Sequence, residues 1–120
     1  MSTQKSTVPA TKLVLYDKLI ATAQGVERKG AAMPYTSLNG HMFSFLGKDG
    51  SLNLRLPEEE REAFLKRHRA ALSVQHGVVM QEYVAVPDAL FNDAKALKKY
   101  FQASADYVRT LKPKATKRKK

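Results

Sequence analysis

The chain has 120 residues, 43% of them hydrophobic and 27% charged, with a formal net charge of +10 and no cysteine. That length fits one domain with a two-layer core and no need of a metal or disulfide staple. The lack of cysteine excludes a disulfide framework, a thiolate metal site and a cysteine nucleophile, and apolar runs of only a few residues exclude a membrane-spanning helix.

No apolar stretch follows Lys5, so no secretory signal is expected and the cytoplasm is the expected compartment. Residues 1–10 are polar around Pro9 and are expected to be a disordered extension. From Thr11 the spacing turns helical: Leu13, Tyr16, Ile20 and Ala23 form a stripe edged by Val14 and Leu19, and Gly25 suits a left-handed cap. A helix is predicted over Thr11–Gln24.

Three short strands follow. Tyr35–Leu38 runs into Asn39-Gly40, a dipeptide that accepts the positive φ of a type I′ hairpin turn. In the next strand Met42, Ser44 and Leu46 alternate with His41, Phe43 and Phe45, and the larger Phe43 and Phe45 are expected to face the core. Asp49-Gly50 closes a second hairpin, and Leu52, Leu54 and Leu56 alternate with Asn53 and Arg55 as a half-buried strand should.

Pro57 opens a helix over 57–70, where its missing N–H costs nothing. Glu58, Glu59, Glu60 and Glu62 crowd its start, and Lys66, Arg67, His68 and Arg69 its end, which is the distribution the helix dipole favours. Ala63 and Phe64 are expected to look inward. A short strand is predicted at Ser73–Gln75, a loop at His76-Gly77, a stronger strand over Val79–Val86, and a helical turn over Asp88–Phe91. Asn92 is the expected cap of the last helix. Leu97, Tyr100, Phe101, Ser104, Tyr107, Val108 and Leu111 stripe that helix, with Lys95, Lys98, Lys99 and Arg109 around them, and Pro113 ends it. The order α-β-β-β-α-β-β-α predicts an α+β fold over 11–111, followed by a disordered basic tail over 112–120.

With this order, the run LNGHMFSFLGKDGSLNLRL, the segment MQEYVAVPDALFND at 80–93 and the closing YVRTL at 107–111 resemble the N-terminal domain family of TfoX, the bacterial competence regulator. The resemblance covers roughly 12–111. It implies a five-stranded antiparallel sheet packed by helices, a binding or regulatory role, and no enzymatic activity or cofactor. Members often spell Phe-Gly-Gly after the opening methionine, whereas Met33 here precedes Pro34-Tyr35-Thr36. The stretch before Val79 also lacks a glycine-rich spelling. A second, C-terminal domain belongs to the full-length regulator, and this chain is too short to hold it, so the regulatory role does not transfer automatically.

Candidate sites are few. Lys112, Lys114, Lys117, Arg118, Lys119 and Lys120 form an acid-free tail and leave 14 basic against 11 acidic residues over 6–111. Such a tail suits an electrostatic arm on nucleic-acid phosphates. An acidic protein surface, an anionic lipid or a solubilising role are the other readings. Without aromatic residues in the tail, no stacking platform is expected.

Tyr35, His41 and Arg55, with Tyr83 and Glu82 beside them, are candidates for one sheet face that contacts a ligand or partner. Against this, Tyr35 and Tyr83 can be core-edge residues with hydroxyls at the rim. His41, His68 and His76 have no metal-ligand spacing. The glutamates at 58–62 read as a solvated helix start rather than an acid–base pair, and Gly47 and Gly50 belong to no phosphate loop. A non-enzymatic domain that associates with nucleic acid through its tail is therefore expected. The alternative is a protein-interaction module that pairs with a partner or itself through the sheet.

Overall fold

The computed structural model describes residues 9–30, 33–47, 50–75 and 77–113. Within them the chain forms α1 (Ala10–Ile20), β1 (Tyr35–Leu38), β2 (His41–Leu46), β3 (Leu52–Arg55), α2 (Glu58–His68), β4 (Ala71–Gln75), β5 (Val78–Ala85), α3 (Asp88–Phe91) and α4 (Ala94–Thr110). The strands make one antiparallel sheet in the order β1-β2-β3-β5-β4. The predicted α+β class and element order hold, with α3 standing as a short helix before α4. Of the extension expected to be disordered over 1–10, Ala10 already opens α1, while residues 1–8 and the tail beyond Pro113 lie outside the described residues.

Two rows of side chains cross the whole sheet. Thr36, Ser44, Leu54, Val84 and Leu72 form one, and Tyr35, Phe45, Asn53, Ala85 and Ala71 the next. The first row meets the helices. Tyr16 of α1, wholly buried, joins its hydroxyl to Ser44 Oγ at 2.6 Å, and Ser44 bonds Thr36 in turn. Around this polar trio lie Leu46, Leu52, Leu54, Leu56, Phe64, Phe91, Leu97, Phe101 and Val108 as one core. Burial of this kind contributes roughly 25 cal/mol per Å² of apolar surface.

β2 contains a bulge. Thr36 pairs with Ser44 but Ser37 pairs with Met42, so Phe43 is an extra residue. It turns toward the helices and packs on Phe101 with ring centroids 5.4 Å apart. Phe45 lies on the other face, edge-on to Tyr83 at 5.5 Å. Phe43 and Phe45 are both buried, as expected, but on opposite sides of the sheet; Ser44 and Leu46 are buried as well.

The Asn39-Gly40 turn has φ of 58° and 81°, the left-handed pair a type I′ hairpin requires. α1 ends four residues before the predicted Gln24. Thr22 Oγ1 takes the Leu19 carbonyl at 2.6 Å and tight turns follow, so Gly25 (φ 80°) closes a turn rather than the helix. Ala63 is exposed and only Phe64 of that pair is buried. α4 is capped by Asp93, whose carboxylate accepts from the Ala96 N–H at 3.1 Å, not by Asn92.

Candidate functional site

The last turn of α2 and the first two turns of α4 face each other across a cleft of 220 Å³. Arg67 and His68 come from α2; Lys95, Lys99 and Tyr100 come from α4. At its base His68 Nε2 lies 2.9 Å from the Tyr100 hydroxyl, and Phe64 packs edge-on to Tyr100 at 4.9 Å. Lys99 Nζ sits 5.2 Å from the Tyr100 ring centre. An adjoining cleft of 300 Å³ shares Arg67, Lys99 and Tyr100 and has Glu60 at its far side. Burial first, then the charges of Arg67 and Lys99, hold the His68 imidazole below its usual range.

Four of the body's other cations are in ion pairs, while Lys18, Lys29, Arg61, Lys66, Arg69 and Lys98 are in none with a described residue. Arg28 meets Asp17 at 2.9 Å, Arg55 meets Glu82 at 2.7 Å, Lys12 meets Asp88 at 3.2 Å and Arg109 meets Asp106 at 3.1 Å. Arg67, Lys95 and Lys99 form no ion pair with any described residue. Sequence reasoning explained the α2 cations by the helix dipole and took the α4 lysines as a polar helix face. The signal it passed over was Lys95 at position 2 of α4, in the first turn where the dipole disfavours cations, with Lys98 and Lys99 one turn on.

The sheet-face candidates do not share one surface. Tyr83 is 9% exposed and donates its hydroxyl to the Met42 carbonyl at 2.7 Å. Burial pushes that phenol up to about 12. Arg55 is held by Glu82 and lies 5.7 Å from the Tyr107 ring centre. Tyr35 is half-buried and closes a bridge with Lys29. His41 is opposite Leu38, on the helix side of β2, where its Nε2 sits 2.8 Å from the Lys112 carbonyl. The bulge at Phe43 is the cause: one extra residue reverses the alternation, so His41 parts from Tyr35, Arg55 and Tyr83.

Of the tail candidates, Lys112 is described and exposed, while Lys114, Lys117, Arg118, Lys119 and Lys120 lie outside the described residues. The root of the tail is fixed: Asn39 Nδ2 donates to the carbonyls of Val108 (3.1 Å) and Leu111 (2.7 Å). Among the described residues no group of three or more His, Asp or Glu is placed to hold a metal, and no helix is long and apolar enough to cross a membrane.

No curated protein and no solved structure matches the chain. The family model of the TfoX N-terminal domain matches residues 30–107, from just before β1 to the last turn of α4. This chain belongs to the TfoX N-terminal domain family.

Proposed function

We propose that this chain is a non-enzymatic, cytoplasmic binding domain that associates with nucleic acid by charge, without reading base sequence. The observation that carries the reading is the placement of the +10 net charge: six of its cations lie in an acid-free tail, and the body's remaining excess is not neutralised by ion pairs. Cations on phosphates release counterions, so binding of this kind weakens steeply with salt. Fluorescence anisotropy with a labelled DNA duplex tests it. The full chain binds at 50 mM salt (roughly the lower end of the usual range) and loses affinity with a log–log slope of roughly −5 if all six tail charges engage. A chain ending at Leu111 binds more weakly and with a shallower slope. Equal binding by the truncated chain removes the tail from the reading; no binding at low salt removes the reading.

A second reading, self-association through the sheet, is favoured by one observation. Val74, Val78 and Val79 are about half exposed or more on the β4–β5 hairpin, and β4 is an edge strand. Light scattering separates the two: a strict monomer at high concentration counts against self-association.

A further inference from the structure

We propose that the cleft between α2 and α4 is a binding site for a phosphate group, with Arg67, Lys95 and Lys99 as its cationic wall and the His68–Tyr100 pair as its floor. The inference rests on the charge-driven reading above and assigns it a place on the folded body, apart from the tail.

α2 obeys the dipole rule, with Glu58, Glu59 and Glu60 in its first turn and Lys66, Arg67 and His68 in its last. α4 does not. It has no acid in its first turn, where Lys95 stands against the positive end of its own dipole, and Lys98 and Lys99 follow one turn on. Asp93 at the N-cap is engaged with the Ala96 N–H and ion-pairs with none of them. The fold then brings these lysines against the cationic end of α2. The dipole of α2 accounts for its own cations, but that of α4 does not account for Lys95, and neither accounts for the two sets lying side by side. A dianion between the two helices relieves both.

The chemistry of the cleft selects the ligand. A phosphate has several oxygens in a tetrahedral array, which three cations from two helices can reach from different directions. Arg67 offers a planar fork suited to two of those oxygens. His68 and Tyr100 add hydrogen-bonding groups at the base, 2.9 Å from each other. The cleft's 220 Å³ is smaller than the usual range for drug-sized ligands, which suits a group of the size of phosphate. A phosphate can belong to a nucleic-acid backbone or to a free phosphorylated ligand; the chemistry at the cleft is the same.

Amide and imidazole NMR spectra of the full chain, titrated with sodium pyrophosphate and separately with a short DNA duplex, distinguish them. With either probe the expected result is movement of the Arg67, Lys95 and Lys99 signals and a rise in the His68 pKa, because an anion offsets the field of its neighbours. The variant K95A/K99A loses this response while its spectrum stays dispersed. A response to both probes makes the cleft part of the nucleic-acid surface. A response to pyrophosphate alone keeps the cleft and assigns it to a free ligand. Duplex binding that moves tail signals only, with no cleft response to millimolar pyrophosphate, overturns the cleft and leaves the nucleic-acid reading intact. An unchanged pyrophosphate response in K95A/K99A overturns it as well.

Discussion

Arg55 and Arg67 both stand where another element meets α4, yet their surroundings are opposite. Arg55 leaves the end of β3 and finds Glu82 at 2.7 Å and the Tyr107 ring at 5.7 Å. The buried Ser104 hydroxyl, with one proton to donate, lies within hydrogen-bond distance of the Arg55 backbone carbonyl and that of Phe43, where β2 and β3 cease to pair. Arg55, Glu82 and Ser104 there each have an intramolecular partner. Arg67 leaves the end of α2 and finds Lys99 and Lys95 across a cleft, with no carboxylate paired to any of the three. The first region completes the fold. The second gathers cations that have no carboxylate partner among the described residues, and is the place where a counter-charge from outside has something to gain.

The sharpest way to break this comparison is Ser104→Ala. If the Arg55 region is structural, the loss leaves a buried carbonyl short of its donor and costs about 2 kcal/mol, read from urea unfolding. A loss under about 0.5 kcal/mol would mean that water or neighbours serve those carbonyls equally well. Next comes a matched pair. Arg55→Ala lowers stability by about 1 kcal/mol after allowance for its partly exposed ion pair. Lys99→Ala leaves stability unchanged or slightly raised at low salt, a difference that fades as salt rises. Equal losses in the two variants would erase the contrast.

The smallest effect is that of pH. The folded state holds His68 below the ordinary 6.5, so the unfolded chain binds the proton more readily. Stability attributable to this group is therefore intact above that range and declines as pH falls from about 7 to 5. His68→Gln flattens that part of the profile; an unaltered profile would place the acid sensitivity elsewhere.

Most of the fold was legible because local chemistry and global pairing agree. Asn39-Gly40, the Leu52–Leu56 run and the α4 stripe each signal one conformation, and each forms it, although β3 is buried on both faces, with Asn53 only 1% exposed, and not half-buried as its alternation predicted. What could not be read came from pairing and packing. The bulge at Phe43 exists only against β1, since nothing in HMFSFL marks which residue is extra. β4 begins at Ala71 rather than Ser73 because β5 supplies partners for Ala71 and Leu72. Ala63 has the period of a core residue, but the inward side of α2 is filled by Phe64. The cleft was invisible for the same reason. Lys66–Arg69 and Lys95–Lys99 each have an ordinary explanation within their own helix, and only the packing of α2 beside α4 makes them one site.

The hydrogen bonds from Asn39 to Val108 and Leu111 have a consequence for the order of events in folding. The final carbonyls of a helix normally find water or a local cap, but here a hairpin some seventy residues upstream supplies the donor. The end of α4 is then completed only once β1 and β2 have paired and docked. Its last turn should resist hydrogen exchange with the same opening free energy as that hairpin, instead of fraying alone as most chain-terminal helices do.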